Sequence, residues 1–160
     1  MNFLKATFDD PHAGWVDLTL MYRDDNYEEQ TLEITASFIF DCFLPLTNAL
    51  YRVLEEQGES VVTLLAEPEQ YELRFTRTGE HIGLTIDRFP DHLRKTGLAS
   101  SLLVVSGSYA EVCLPFWRAL RGLQGRFSEQ ELQAKWYLPY PTRELNNLTA
   151  AIKATQTTRK

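Results

Sequence analysis

Residues 15–38, WVDLTLMYRDDNYEEQTLEITASF, give the clearest indication of the fold. Every second residue of 16–22 is apolar or aromatic, which places one face of an extended strand inward, and residues 31–38 repeat the pattern. The segment between them, residues 23–30, is polar and rich in turn-forming Asp and Asn. Two alternating segments around such a loop predict an antiparallel β-hairpin.

Working outward from this hairpin, similar alternation predicts further strands at residues 60–66, 70–77 and 81–88, and a short sixth one at 102–105. Helical periodicity and capping residues predict helices at residues 45–57, 108–123 and 142–154, and a shorter one from Ser128 to about Trp136. Pro115 either kinks the second of these helices or marks a later start for it.

These elements predict an α+β domain of two layers. An antiparallel sheet of five to six strands forms one layer, and three to four helices pack mainly on one of its faces. The chain of 160 residues has the size of one domain, with no repeat or linker to divide it. We therefore expect a single domain over residues 1–155 and a loose C-terminal tail at 156–160.

The charged residues are distributed unevenly. The net charge is −6, but residues 1–72 hold 15 acids and three bases, whereas residues 73–160 hold seven acids and 13 bases. Opposite halves either pack against each other or leave separate acidic and basic surfaces. The start of the chain has no signal-peptide pattern, and no apolar run is long enough to span a membrane. Cys42 and Cys113 lie among apolar neighbours, which predicts buried free thiols and a reducing, cytoplasmic compartment.

Motifs that would carry chemistry are missing from the sequence. His12, His81 and His92 have no second ligand at the helical spacing that zinc enzymes use, and no glycine-rich phosphate loop occurs. We predict no catalytic residues, no metal site and no cofactor. Arg118, Arg121 and Arg126 are interpreted as a structural cluster near a helix end, and the overall acidity argues against nucleic acid as a partner.

Two segments are candidate binding sites. The hairpin loop holds Asp24, Asp25, Tyr27, Glu28 and Glu29 within six residues. It is either a solubilising loop or a docking patch for a basic protein partner, with Tyr27 as an aromatic anchor. The second segment is the aromatic run from Trp136 to Tyr140, which either forms an exposed binding ledge or pins the loop between the last two helices.

Three short segments carry a resemblance. Asp41-Cys42-Phe43-Leu44-Pro45-Leu46, Glu67-Pro68 followed by Tyr71, and Trp136 with Tyr140-Pro141 are similar to segments of small bacterial proteins without an assigned function. Some proteins of this general layout resemble the immunity partners of bacterial toxins. The resemblance implies a binding role and supplies no catalytic residues.

Three functions remain open from the sequence. The first is a non-catalytic protein-binding domain of immunity or accessory type with an acidic surface. The second is an enzyme that uses carboxylates with His81 or His92 in a cleft. The third is a carrier of a small ligand in an apolar pocket between sheet and helices. The sequence predicts no membrane partner and leaves homo-oligomerisation open.

Overall fold

The predicted hairpin forms two of the three strands in the first of two antiparallel sheets. The computed structural model describes residues 3–158. Its first sheet contains three strands in the order β1 (Leu4–Phe8), β2 (Trp15–Arg23) and β3 (Glu29–Ser37). Strands β2 and β3 pair from Trp15 opposite Ser37 to Arg23 opposite Glu29, so the hairpin prediction is confirmed. Of the side chains of β2 predicted to face inward, Val16, Leu18 and Leu20 are buried and Tyr22 is partly buried.

The second sheet contains four strands, β4 (Gly58–Leu65), β5 (Gln70–Thr78), β6 (His81–Phe89) and β7 (Ser100–Gly107), in that order. A bulge at Leu102 interrupts the pairing of β6 with β7. The prediction of a single sheet with five to six strands is therefore wrong, because seven strands divide into sheets of three and four. The alternation of polar and apolar residues shows which face of a strand is buried, but it does not show which other strand pairs with it in the sheet.

Helices connect and cover the two sheets, and there are five of them among residues 3–158 rather than three to four. They are α1 (Phe43–Glu55), α2 (Tyr109–Val112), α3 (Leu114–Arg126), α4 (Glu129–Trp136) and α5 (Thr142–Thr158). They contact strands of both sheets: α1 packs on β4 and β5, α2 on β6 and β7, and α3 on β1.

Capping residues set the helix boundaries. Ser108 and Ser128 form the two predicted capping boxes. Each serine hydroxyl accepts a hydrogen bond from the backbone N–H of the glutamate three residues later, and that glutamate's carboxylate accepts one from the serine N–H. Pro115 lies in the first turn of α3, where its missing N–H has no helical partner, so it marks a new helix start and not a kink. Helix α5 continues through residues 156–158, which were predicted to be a loose tail; residues 159 and 160 lie outside the described part.

A contiguous hydrophobic core joins the sheets and helices. Phe43 lies near its middle, with ring centroids 5.2 Å from Phe8, 4.9 Å from Trp136 and 5.3 Å from Tyr140. Cys42 and Cys113 are buried free thiols, as predicted. Within residues 3–158, no helix is both long enough and apolar enough to cross a membrane.

Candidate functional site

The β2–β3 connection, residues 24–28, is a tight loop with three residues at its tip. The Tyr27 N–H donates to the Asp24 carbonyl at 3.0 Å, and the Asp24 N–H donates to the Glu28 carbonyl at 3.0 Å. In this hairpin type a turn is followed by a residue in the left-handed conformation, a position that suits glycine or asparagine. Here that residue is Tyr27, with φ of 62°.

Asp24 organises the loop from within. Its carboxylate accepts hydrogen bonds from the Asn26 N–H at 2.9 Å, the Glu28 N–H at 3.0 Å and Gln30 Nε2 at 2.9 Å. These bonds favour the ionised form, so they lower the pKa of Asp24 below its ordinary value, with the Glu28 backbone bond as the largest cause. Sequence analysis grouped Asp24 with Asp25, Glu28 and Glu29 as equivalent surface charges. The structure corrects this, because the Asp24 carboxylate holds the loop backbone on which the other three residues are exposed.

The remaining loop residues face solvent. Asp25, Glu28 and Glu29 are exposed, and the Tyr27 side chain is 78% exposed. Glu29 lies 3.9 Å from Arg23 in a solvent-accessible ion pair. We call residues 24–29 the acidic hairpin loop: a hydrogen-bonded turn that carries one exposed aromatic residue and three exposed carboxylates.

The second candidate segment matches the alternative in which its aromatic residues pin the loop, and not the exposed ledge. Trp136 is 1% exposed and donates through Nε1 to Asp41 Oδ1 at 3.1 Å. Tyr140 is 6% exposed and its hydroxyl donates to the Leu120 carbonyl at 2.6 Å. Both side chains pin the α4–α5 loop to the core, so they do not form an exposed binding surface.

Their neighbour Tyr137 is exposed instead, and it ends α4 in the left-handed conformation. Its ring packs edge-on against Phe38 with centroids 5.1 Å apart. The sequence did not distinguish Tyr137 from the buried aromatics on either side of it, since neither periodicity nor composition separates them.

An open cleft of about 560 Å³ lies beside the acidic hairpin loop, and sequence reasoning missed it. One wall is residues 22–25, at the end of β2 and the start of the loop, and the other is residues 101–106 of β7. The Tyr22 hydroxyl reaches across to the Leu102 carbonyl at 3.4 Å. Val104 on the β7 wall is 72% exposed. The only sequence signal was an uncharged strand, SSLLVVSG, at residues 100–107.

The groups considered for catalysis lie elsewhere. Burial raises the pKa values of the Cys42 and Cys113 thiols, which makes both of them poor nucleophiles. His81 and His92 are exposed and do not line the cleft. Within residues 3–158, no three His, Cys, Asp or Glu side chains converge as metal ligands. The cleft and loop offer carboxylates, an aromatic ring and a strand edge, which are groups suited to recognition.

Two of the three clustered arginines have structural partners. Arg121 donates to the Thr149 hydroxyl at 3.3 Å and lies over the Trp117 ring. Arg126 donates from Nη2 to the Phe8 carbonyl at 3.0 Å and pairs through Nε with Asp10 at 3.3 Å.

Comparisons of this chain with protein-family models, with curated proteins and with solved structures found no match.

Proposed function

We propose that this protein is a non-catalytic binding domain, of immunity or accessory type, that docks a basic protein partner through the acidic hairpin loop. The observation that carries the proposal is Tyr27, a large aromatic residue that has a φ of 62° and is 78% exposed. A left-handed conformation costs a residue with a side chain about 1–2 kcal/mol, and glycine or asparagine would avoid most of that cost.

Packing does not offset this strain, because the Tyr27 ring is largely in solvent. A strained and exposed residue supports a role outside fold stability. Tyrosine is among the residues that dominate binding energy at protein interfaces, since it buries a large area and loses little rotamer entropy.

The charges near Tyr27 support a partner surface of positive charge. Asp25, Glu28 and Glu29 are exposed, lie within two residues of Tyr27 in the chain and carry the same charge. Carboxylates arranged in this way attract a basic surface and raise the rate of association, an effect that salt screens over about 8 Å at physiological ionic strength. The two buried free cysteines support a cytoplasmic setting, where thiols stay reduced.

A peptide titration tests this function. We would titrate ¹⁵N-labelled protein with a capped seven-residue peptide that alternates lysine and valine, and separately with the same peptide carrying glutamate for lysine. The lysine peptide should shift the amide resonances of residues 24–29, bind more weakly as salt rises, and bind more tightly than the glutamate peptide.

Matched variants locate the binding. The triple variant Asp25→Asn, Glu28→Gln and Glu29→Gln should weaken lysine-peptide binding about tenfold, equivalent to about 1.4 kcal/mol. The control Glu55→Gln, Glu56→Gln and Glu129→Gln removes the same charge from other exposed positions and should bind as the parent does. Equal losses in the two variants would mean that net charge alone attracts the peptide, and the loop would not be the site.

A further inference from the structure

The two sheets have four edge strands, β1, β3, β4 and β7. Unpaired N–H and C=O groups on such edges invite pairing with other chains, so proteins cover edges or place charges on them. Three of the four edges are protected in these ways. Helix α3 packs along β1. Strands β3 and β4 contact each other, and α1 also packs on β4. Strand β3 carries two charged residues, Glu29 and Glu33.

Strand β7 lacks this protection. Its sequence, SSLLVVSG, contains neither charge nor proline, and its contacts within residues 3–158 are mainly with β6 and with α2, which follows it directly. The cleft described above runs along residues 101–106 of this strand. At about 3.3 Å per residue these six positions span about 20 Å, enough for an extended peptide of similar length.

The direction of the backbone groups follows from one contact. Leu102 is the bulge residue without a partner in β6, and its carbonyl accepts a hydrogen bond from the Tyr22 hydroxyl of the other sheet at 3.4 Å, so this carbonyl is directed away from the β6 ladder. Because the C=O of one peptide unit points opposite to its N–H, the Leu103 N–H points towards β6. The groups of the next residue alternate, so the N–H and C=O of Val104 point into the cleft. Val104 is also the most exposed apolar residue of the strand, at 72%.

Charge defines what fits there. Asp24 and Asp25 line the opposite wall, and the exposed Glu28 and Glu29 continue the acidic hairpin loop beyond it. The one cation on this wall, Arg23, is already paired with Glu29. A segment lying along β7 would therefore meet carboxylates on its other side.

We propose that β7 accepts an extended basic segment of the partner protein as an added strand, hydrogen-bonded to the backbone of Val104, with the acidic hairpin loop clamping its cationic side chains. This mode of recognition rests on the proposed function and specifies how the partner binds. Main-chain bonds supply affinity in such complexes, and alternate side chains supply specificity.

The test separates the backbone from the side chain of one residue. Val104→Pro removes the N–H that points into the cleft, at an edge position where proline costs no ladder hydrogen bond. Val104→Ala is the matched control, because it keeps both backbone groups. With the alternating lysine–valine peptide, Val104→Pro should lose about tenfold or more in affinity, and Val104→Ala should lose less than about threefold.

A second measurement leaves the protein unchanged. A peptide of the same sequence with N-methyl groups at alternate residues cannot pair along one edge, and it should bind the parent protein at least about tenfold more weakly. On binding the unmodified peptide, hydrogen exchange of the Val104 amide should slow about tenfold or more. Circular dichroism of Val104→Pro shows whether β7 has kept its fold.

The outcomes separate the two proposals. If Val104→Pro and the N-methylated peptide bind as well as their parents while the acidic triple variant loses affinity, strand addition is overturned and loop docking stands. If the triple variant binds like the parent while Val104→Pro does not, the loop proposal fails and edge pairing stands. Absence of peptide binding to the parent protein at millimolar concentration overturns both.

Discussion

The edge strands β1 and β7 both have a side on which their backbone N–H and C=O groups have no partner strand, but the surroundings of these two edges differ. Strand β1 is flanked by α3 across a cleft of about 250 Å³, and its Phe8 carbonyl accepts a hydrogen bond from Arg126 Nη2 at 3.0 Å. Strand β7 faces a wider open cleft of about 560 Å³, and among the described residues its main helical contact is with α2, which follows it directly. An edge that the fold has covered serves stability, whereas an exposed and uncharged edge is a cost to solubility unless something pairs with it. This difference is the reason for proposing β7 as the edge that pairs with the partner.

The largest expected effect breaks the covered side. Phe8→Ala removes a buried ring of β1 that packs 5.2 Å from the Phe43 ring, so it should lower the free energy of unfolding by about 3–5 kcal/mol. Val104→Ala on β7 should lower it by less than about 0.5 kcal/mol because Val104 is exposed. Chemical denaturation measures both, and similar losses would show that Val104 is packed into the fold and is not a free position on the wall of the cleft.

A smaller effect concerns the closure of β1 by α3. Arg126→Ala removes the bonds to the Phe8 carbonyl and to Asp10, and should cost about 1 kcal/mol of unfolding free energy. Arg118→Ala on the same helix is the control, since Arg118 is exposed and has no partner among the described residues, and its cost should be near zero. Exchange of the β1 amides should quicken only in the Arg126 variant.

The wall of the β7 cleft should show an acid-dependent stability. The folded-state pKa of Asp24 lies below the ordinary value of 3.8, so its carboxylate stabilises the fold above that value and the effect is lost as pH falls through the folded-state pKa. Asp24→Asn should therefore melt at a lower temperature than the parent at pH 7, and the gap should close below about pH 4. A gap that stays constant down to pH 2 would mean that the charge of Asp24 does not organise the loop.

The smallest stability change is expected at Tyr27, and its sign is informative. Tyr27→Asn places a residue that tolerates the left-handed conformation at φ 62°, so stability should stay unchanged or rise by up to about 1 kcal/mol. Lysine-peptide binding should fall at the same time. A clear loss of stability on thermal melting would mean that the Tyr27 ring supports the fold, and the argument for a binding role would lose its basis.

Much of the fold followed from local pattern. The alternation of residues 15–22 and 31–38 predicted the hairpin, and the Ser108 and Ser128 capping boxes predicted two helix starts. Both predictions succeeded because the spacing of buried residues and the capping residues are local features of the sequence. Strand β1 was missed since its five residues give too short a pattern beside the longer strands. The division into two sheets was missed because lateral pairing is a long-range choice.

The candidate site divides in the same way. Local pattern was enough to predict that Asp25, Tyr27, Glu28 and Glu29 are exposed, because a polar segment between two amphipathic strands connects them at the surface. The burial of Trp136 and Tyr140 against Asp41 and Leu120, the hydrogen bonds from the loop to Asp24 and the open cleft along β7 appear only when the whole chain is folded. Burial of an aromatic side chain and exposure of a strand edge depend on which distant segments pack there, and no local period encodes that choice.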